Sequence, residues 1–332
     1  MSNYDTTMID QSTHPELEPG TVPAEEMTVR PQSNYVNLLV LRELQSHAVF
    51  TTNGQDADIA SVPVADGDYS PGLMFMRKQT GSDRRVGKAL QRDLGLFEED
   101  EYECTMQVNE MCQDCPECIL YGSAASSGDQ ELSITSRVMY DTAYTLRDAS
   151  VVIDEKFQNA PGDDYAKSAE ATIREPDFFE PGTLFPSVIT LHDATPAEVA
   201  FVLGITRRNK RYGATTSRLG RVENNVLGVY VGSEEGPANL ELTRGAIERL
   251  VDEGNDYESW RDVVRAETLS PDAVASHVTA AFEDAIEDDH LGLERVSDRT
   301  VEELLAAATD ESFVDVLAEQ REQSRAFLDQ AE

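Results

Sequence analysis

Four cysteines within 15 residues place the strongest local constraint on how this chain can fold. Cys104, Cys112, Cys115 and Cys118 follow the spacing C-x7-C-x2-C-x2-C, and the chain has no other cysteine. In a cytosolic chain this clustering indicates a metal site rather than disulfides. Four thiolates fill the tetrahedral shell of a structural Zn²⁺ ion and leave no open position for catalysis. We therefore predict that Zn²⁺ stabilises an inserted segment at about residues 100–125.

An iron–sulfur cluster is the main alternative, because C-x2-C-x2-C followed by a further cysteine is a cluster pattern. In this chain the fourth cysteine precedes the other three instead of following them. Free thiols are a third interpretation. A brown protein would indicate a cluster, whereas a colourless protein with about one zinc per chain would indicate zinc.

The rest of the chain is strongly acidic. It has 63 acidic residues against 27 basic ones, a formal net charge of −36, and only five of the basic residues are lysines. Dense surface carboxylates are typical of salt-adapted cytoplasmic proteins, because excess negative charge keeps such proteins soluble. At molar salt the Debye length falls to about 3 Å, so only charges in contact range act on one another. The sequence has no membrane span and no secretory signal, so we predict a cytoplasmic protein.

Two short segments reverse this charge balance. The first basic segment, residues 77–92, and the second basic segment, residues 207–221, hold six basic residues each. Positive segments in so acidic a chain favour an anionic partner, most commonly nucleic-acid phosphate. The simpler alternative is a solvated helix end, where cations complement the helix dipole. Two such segments favour one shared groove. The candidate phosphate-binding side chains are Arg77, Lys78, Arg84, Arg85, Lys88, Arg207, Arg208, Lys210, Arg211, Arg218 and Arg221.

Apolar patterns and turn residues predict an α+β fold. The predicted elements are a strand at 35–52, a helix at 83–94 capped by Ser82 and ended by Gly95, β-structure at 132–153, a strand at 184–192, a helix beginning at the capping box of Thr195 and Glu198 and ending near Gly213, a strand at 225–231 and a helix at 240–251. This order is compatible with a ferredoxin-like core with long insertions, the topology of RNA-recognition sheets.

The flanking regions are predicted to lie outside that core. Residues 1–30 are acidic and rich in small polar residues, so we predict a mobile acidic arm. The core spans residues 31–251 and includes a polar insertion at about 154–181. Residues 252–332 hold 23 acidic and six basic residues with apolar residues at helical spacing, which predicts an acidic helical extension.

Motifs of common enzyme classes are absent. The chain has no phosphate-binding Gly-rich loop, nucleophile elbow or H-E-x-x-H motif, and its five histidines are scattered. We therefore predict a non-catalytic protein. A metal-dependent nuclease that uses one loop aspartate could not be seen in this way.

Four motifs in order resemble a known family. They are LMFMRKQ at 73–79, CQDCPECILYG at 112–122, LFPSVITL at 184–191 and KRYGATTSRLGRV at 210–222. With these motifs the chain resembles the backbone subunit of CRISPR effector complexes of subtype I-D, in the Cas-seven group of the RAMP superfamily. The resemblance covers roughly residues 30–251. The low lysine content suggests a haloarchaeal member.

The resemblance implies a modified RRM core with inserted zinc-binding, helical and lid regions. It also implies that several copies polymerise along the spacer of a CRISPR RNA (crRNA) in a Cascade-like antiviral ribonucleoprotein, beside other subtype I-D subunits. The protein would hold the guide backbone while base pairing reads target DNA or RNA. Gly213 and Gly220 would let the chain approach the ribose-phosphate, and Tyr212 would stack on a base or pack under its loop.

Two alternatives differ from a non-catalytic scaffold. In the first, the subunit also cuts single-stranded target at regular intervals with Mg²⁺, as relatives in type III complexes do, using a loop acid such as Asp56 or Asp58. In the second, the chain is an unrelated zinc-stapled RNA-binding protein that works alone.

Overall fold

The computed structural model describes residues 9–64, 67–97, 104–107, 110–124, 133–155, 157–158, 173–213, 217–252 and 257–328. The strands are β1 Tyr35–Leu44, β2 Val62–Val64, β3 Gly67–Tyr69, β4 Pro71–Met74, β5 Ser123–Ala124, β6 Ser133–Ile134, β7 Val138–Tyr140, β8 Ala143–Asp148, β9 Ile153–Asp154, β10 Phe157–Gln158, β11 Ile173–Arg174, β12 Phe178–Phe179, β13 Leu184–His192, β14 Val222–Gly232 and β15 Leu293–Arg295. The α-helices are α1 Met76–Asp93, α2 Pro116–Tyr121, α3 Ala149–Val152, α4 Pro196–Arg208, α5 Asn239–Asp252, α6 Trp260–Val264, α7 Pro271–Asp288, α8 Asp298–Ala307 and α9 Phe313–Leu328. Two short 3-10 helices, Pro15–Gly20 and Ala24–Glu26, precede β1.

A five-stranded antiparallel sheet forms the centre of the molecule, with the strand order β15-β14-β1-β13-β7. β1 lies in the middle and pairs along its length with β13 and β14. α1 lies between β1 and β7 in the chain, and α4 connects β13 to β14. The core therefore reads strand, helix, strand, strand, helix, strand, as in an RRM-like fold. The predicted α+β core with insertions is confirmed.

β1 is buried on both of its faces, and this explains its nearly continuous run of apolar residues. Val36, Leu38 and Val40 lie in the first core, together with α4, α8 and α9. Leu39 and Leu41 alternate with them and lie in the second core, on the opposite face of the sheet.

The second core is closed by α5, α6 and α7. Ile247 of α5, Val263 of α6 and Phe282 of α7 are fully buried against it. RRM domains leave the corresponding sheet face open and stack bases on its aromatic residues. In this chain three helices fill that face, so bases cannot stack there.

α4 is a helix of the first core whose start is fixed by side-chain caps. Thr195 Oγ1 accepts a hydrogen bond from the Glu198 amide at 3.2 Å, and the Thr195 amide donates to Glu198 Oε2 at 3.0 Å, which confirms the predicted capping box. Arg137, just before β7, donates to the same Glu198 oxygen at 2.9 Å. All residues from Pro196 to Thr206 are buried, as expected for a helix that is apolar on every side.

The N-terminal segment differs from the predicted mobile arm. Leu17 is fully buried in the first core, and Val22 and Met27 pack with Ile119 in a small separate cluster. A few well-placed apolar residues are enough to dock this acidic segment, which its average composition did not indicate. Residues 1–8 lie outside the described part of the chain.

The C-terminal region is helical, as predicted, but it packs on both cores. Val274 and Phe282 of α7 belong to the second core, while Leu304 of α8 and Phe313 of α9 belong to the first. The predicted boundary at residue 251 therefore does not coincide with a break in packing. None of the helices in the described ranges is both long and apolar enough to cross a membrane.

α1 begins at Met76, seven residues earlier than predicted. Ser82 is not its cap: the Ser82 hydroxyl lies inside the helix, donates to Asn209 Oδ1 at 3.3 Å and contacts the carbonyl oxygen of Arg211. A local cap signal was therefore overridden by a contact with a distant loop. The helix end is as predicted, since Gly95 follows it with a φ of 80°.

Other element ends also differ. β1 ends at Leu44 instead of residue 52, and residues 45–52 continue as a segment outside the sheet, with Ala48 bridged to Phe179. α4 ends at Arg208, so Gly213 does not terminate it. Most of the predicted polar insertion (residues 156 and 159–172) lies outside the described residues.

A fragment ending at residue 251 tests whether the C-terminal helices belong to the folding unit. We expect this fragment to lose cooperative unfolding, because it removes the helices that cover Leu39 and Leu41. Loss of buried Phe282 and Phe313 alone corresponds to about 3–5 kcal/mol each. Urea unfolding followed by circular dichroism measures this, with a chain ending at residue 328 as the control. A fragment that unfolds as cooperatively as the control would contradict the expectation.

Candidate nucleic-acid interface and metal centre

One buried carboxylate joins the two basic segments. Asp83 of α1 is fully buried, and its Oδ1 accepts hydrogen bonds from Asn209 Nδ2 at 2.6 Å and from the Tyr212 hydroxyl at 2.8 Å. Its Oδ2 accepts from the Tyr140 hydroxyl at 2.8 Å. Together with the Ser82–Arg211 contact, these bonds confirm that the first and second basic segments lie together.

A buried arginine lies near this carboxylate. Arg42 of β1 is fully buried, and its guanidinium nitrogens have no hydrogen-bond partner among the described residues. Its guanidinium carbon lies 5.7 Å from the centre of the Tyr212 ring. Burial raises the pKa of Asp83, while the Arg42 charge and the hydrogen-bond donors act in the opposite direction. Arg42 therefore supplies the positive charge that makes a buried carboxylate tolerable here.

The loop of the second basic segment is held by backbone contacts. Tyr212 N donates to Gly220 O at 2.9 Å, and Gly220 N donates to His47 O at 2.7 Å. Gly213 and Gly220 both have positive φ, of 90° and 74°, and a Cβ at Gly220 would collide with the Tyr212 carbonyl oxygen. The two glycines thus have an internal reason to be present, separate from the predicted approach to RNA. Residues 214–216 of this loop lie outside the described part.

Two roles are predicted for Tyr212, stacking on a base or packing under its loop, and the structure shows packing. Its side chain is fully buried, and its hydroxyl donates to Asp83 and accepts from Asn224 Nδ2 at 3.1 Å. Burial raises the pKa of Tyr212, so the hydroxyl stays protonated and remains a donor. The ring cannot stack on a base from this position.

Several arginines of the basic segments point to solvent. The exposed ones that have no side-chain hydrogen bond or ion pair within the described ranges are Arg85, Arg207, Arg218 and Arg221. Arg77 is also exposed and contacts the Thr52 hydroxyl, and Lys78 Nζ donates to the Thr51 carbonyl at 2.8 Å. The start of α1 and the loop of the second basic segment therefore both lie against residues 45–52.

Three other cations of the second basic segment are partly engaged within the protein. Arg208 Nη2 lies 3.4 Å from the Ala308 carbonyl oxygen. Lys210 Nζ pairs with Glu223 Oε1 at 2.8 Å, and Arg211 Nη1 donates to the Leu219 carbonyl at 3.1 Å. These side chains need to change partners before they can bind phosphate.

The sequence predicts Arg84 and Lys88 as phosphate contacts, but in the structure both side chains face the protein interior. They are four residues apart on α1 and share the helix side that packs on α2. Arg84 Nε pairs with Glu117 Oε1 at 2.5 Å, and Lys88 Nζ pairs with Glu117 Oε2 at 2.6 Å. Lys88 is only 1% exposed. In this position it cannot reach a nucleic acid, and the charge pattern alone could not distinguish it from the exposed arginines.

The four cysteine sulfurs form a compact group. All lie within 4.8 Å of one another, with Cys104 Sγ 3.5 Å from Cys118 Sγ. A single ion with metal–sulfur bonds of about 2.3 Å would place tetrahedral sulfurs about 3.8 Å apart. The backbone amides of Cys112 and Cys115 point at the sulfurs of Cys104 and Cys112, at 3.2 and 3.3 Å. The donor set therefore fits one metal ion such as zinc.

The Lys88 ammonium favours negative charge on the two sulfurs nearest to it, those of Cys104 and Cys118. Lys88 Nζ lies 2.7 Å from Cys104 Sγ and 3.1 Å from Cys118 Sγ. Burial lowers the pKa of Lys88, but the charges of Cys115 and Glu117 outweigh burial and raise it above its ordinary value. The lysine is therefore a permanent cation beside the sulfurs.

The two candidate catalytic aspartates lie near the basic surface. Asp58 Oδ2 accepts a hydrogen bond from the Thr52 hydroxyl at 2.8 Å, and Arg77 contacts the same hydroxyl. Asp56 is exposed in the same loop. Within the described ranges, the four cysteines form the one group of three or more Cys, His, Asp or Glu side chains close enough to share an ion.

Sequence reasoning missed the residues that position this surface. Arg42, Tyr140 and Asn209 gave no local signal, since each looks like an ordinary strand or loop residue. Asp83 did carry one, because it is the one acidic residue within residues 77–92. A carboxylate retained inside a basic segment indicates a specific internal partner.

We expect Asp83→Asn to destabilise the protein by about 2–4 kcal/mol, because an amide has one acceptor oxygen where the carboxylate serves three donors. Urea unfolding measures the change in the free energy of unfolding. Asp315→Asn, at an exposed position on α9, is the control. A loss no greater than that of the control would show that Asp83 does not hold the segments together.

Comparison with known proteins gives one family and a shared fold. A family model described as Csc2 Crispr matches residues 23–318. The chain is similar to the crystal structure of Thermofilum pendens Csc2, with 17% identity, 92% of each chain covered and a TM-score of 0.60. At this identity the likeness shows the fold.

Two further solved structures are more distant. A chain of a Type IV-B CRISPR complex has 15% identity, covers 61% of this chain and 93% of its own, and gives a TM-score of 0.42. A chain of a CRISPR RNA-guided surveillance complex has 10% identity, covers 86% of this chain and 99% of its own, and gives a TM-score of 0.49. A search of curated proteins found no significant match.

Proposed function

The chain belongs to the Csc2 CRISPR family, and we propose that it is a guide-RNA-binding backbone subunit of a CRISPR interference complex. The observation that carries this proposal is the joined pair of basic segments on a chain of net charge −36, because these segments present arginines that have no side-chain partner among the described residues. In finer detail, the subunit would belong to a Cascade-like complex of subtype I-D. Several copies would polymerise along the spacer of the crRNA, beside the other subunits, for antiviral defence in a salt-adapted archaeon.

The exposed groups suit phosphate better than bases. Arginine forks bind phosphate oxygens in pairs but carry no sequence information when they do so. The sheet face that RRM domains use to stack bases is filled by α5, α6 and α7, and Tyr212 is buried. This arrangement supports a scaffold that holds the guide backbone and leaves target reading to base pairing.

The start of α1 adds to this surface. Its first turn has no acidic residue and no side-chain cap, yet it carries Arg77 and Lys78. The N-terminal end of a helix has a partial positive charge, so two cations there are unfavourable unless an anion balances them. A phosphate of the guide would supply that balance.

The triple variant Arg85→Ala, Arg207→Ala, Arg218→Ala tests the RNA surface. We expect weaker binding of single-stranded RNA of any sequence, because three phosphate contacts are lost. The slope of log K against log salt should fall by about two, at roughly 0.7 per contact. Fluorescence anisotropy across a salt series measures both quantities.

Arg244→Ala is the matched control, since Arg244 is exposed on α5 above the second core. We expect it to leave affinity and slope unchanged. If the triple variant binds RNA as tightly as the unsubstituted chain, this surface does not bind RNA. Co-purification of crRNA and partner subunits with a tagged chain tests the assembly, and recovery of neither would favour a protein that works alone.

We propose that the subunit does not cut the target. The competing hypothesis places a nuclease acid at Asp56 or Asp58, and the closeness of Asp58 to Arg77 through Thr52 is the observation in its favour. Incubation of the assembled complex with labelled target and Mg²⁺ separates the two. Evenly spaced products that disappear with Asp58→Asn or Asp56→Asn would support cleavage.

We propose further that the four cysteines hold Zn²⁺. The sulfurs are spaced for one ion, whereas the thiolates of an iron–sulfur cluster hold several irons between them. When bound, the ion would join the segment around Cys104 to α2. Asp114, between the cysteines, is also tied to α9 through Arg321 at 3.2 Å and Arg325 at 3.0 Å.

We expect the purified protein to be colourless, with about one zinc per chain by elemental analysis. A strong chelator should lower the midpoint of thermal unfolding, because the segment around the cysteines loses its cross-link and, with it, a support of α9. Re-addition of Zn²⁺ should restore the midpoint. A brown protein that contains iron and labile sulfide would contradict zinc.

A further inference from the structure

A buried lysine lies inside the cysteine group. Lys88 Nζ has four acceptors within reach: Cys104 Sγ at 2.7 Å, Cys118 Sγ at 3.1 Å, Cys115 Sγ at 3.4 Å and Glu117 Oε2 at 2.6 Å. The side chain is 1% exposed. Burying an ammonium costs several kcal/mol unless opposite charge surrounds it, so this position needs a charge-based explanation.

The ion pair with Glu117 is not a sufficient explanation. Arg84 already pairs with the other oxygen of the same carboxylate at 2.5 Å. Two cations therefore share one anion, and four neutral thiols would leave one positive charge unbalanced in the interior. Four thiolates around a divalent ion carry two negative charges instead. A metal-bound centre of four thiolates therefore gives Lys88 a full counter-charge in this buried position.

We propose that Lys88 is the counter-cation of the thiolate centre and couples metal occupancy to α1. This inference rests on the metal centre proposed above. Lys88 stabilises the bound state by donating N–H bonds to the thiolates and by offsetting their charge. Groups of this kind beside a metal commonly change its affinity by 10–100-fold. Lys88 thus acts through the cysteines and is a positioning residue.

The coupling follows from where α1 lies. Lys88 and Gln91 attach its second half to the cysteine group, and Gln91 Oε1 accepts from the Glu117 amide at 3.1 Å. Asp83, five residues before Lys88, holds the second basic segment, and Arg77 and Lys78 lie in the first turn of the helix. One rigid helix therefore connects the metal centre to the basic surface. Loss of the metal releases the end of the helix that the sulfurs hold.

The test compares Zn²⁺ affinity, by competition with a chelator, and the absorption spectrum of bound Co²⁺ in four variants. We expect Lys88→Met to weaken Zn²⁺ binding at least tenfold and to shift the sulfur-to-cobalt band, and Lys88→Arg to recover part of the loss. Gln91→Met removes an uncharged N–H donor to Cys115 Sγ and the acceptor of the Glu117 amide, so we expect a smaller loss of Zn²⁺ affinity than Lys88→Met causes.

The variant Glu117→Gln distinguishes two roles for Lys88: a counter-cation of the thiolates, or a partner in an ion pair that only supports the fold. It frees Lys88 from its carboxylate, so we expect Zn²⁺ affinity to stay equal or to rise. If the pair only supported the fold, both Lys88→Met and Glu117→Gln would weaken binding. Should Lys88→Met fail to fold, Lys88→Arg and Glu117→Gln still decide between these two outcomes.

Hydrogen exchange of the full chain tests the coupling. We expect chelation to lower amide protection at residues 84–93 of α1, and Zn²⁺ to restore it. Unchanged protection would overturn the coupling, and equal Zn²⁺ affinity of Lys88→Met and the unsubstituted chain would overturn the counter-cation. Failure of the unsubstituted chain to bind any metal would instead contradict the metal centre itself.

Discussion

The buried carboxylate of Asp83 is the contact on which the basic surface depends. It accepts from Asn209, Tyr212 and Tyr140, and it is the reason that a helix after β1 and a loop before β14 present their cations together. In an interior of low dielectric, such a network is strong when every donor is matched. Arg85, Arg207, Arg218 and Arg221 can then remain exposed, without a side-chain partner among the described residues.

Sequence patterns predicted correctly those element ends that depend on neighbouring residues in the chain. The strand at 184–192 has the predicted bounds, and the helix after it begins at the predicted capping box. The predicted start of α1 failed for the opposite reason. Ser82 and its neighbours read as a cap, but the hydroxyl bonds to a loop that lies 127 residues away in sequence. No local pattern can report a partner at that distance.

The same limit applies to the candidate site, where local patterns showed its location but not which side chains are exposed. Charge patterning located both basic segments, because a cluster of cations in an acidic chain is visible at once. Charge patterning could not distinguish the exposed cations of these segments from the buried ones. Arg85 is exposed, whereas Lys88, one turn later on α1, is buried among sulfurs. That difference depends on which side of the helix meets α2, and only the packed structure fixes it. Averaged composition likewise hid the docking of Leu17.

The helices α5, α6 and α7 cover one face of the central sheet, and this limits which changes in base recognition can evolve there. An open RRM sheet can gain or lose base preference by exchanging one surface aromatic residue. Here the equivalent positions are core residues such as Leu39 and Leu41, where substitution costs stability instead of changing specificity. Under the proposed function, this arrangement would prevent the subunit from acquiring a preference for particular guides. In the proposed scaffold, a new spacer would need no matching change in the protein.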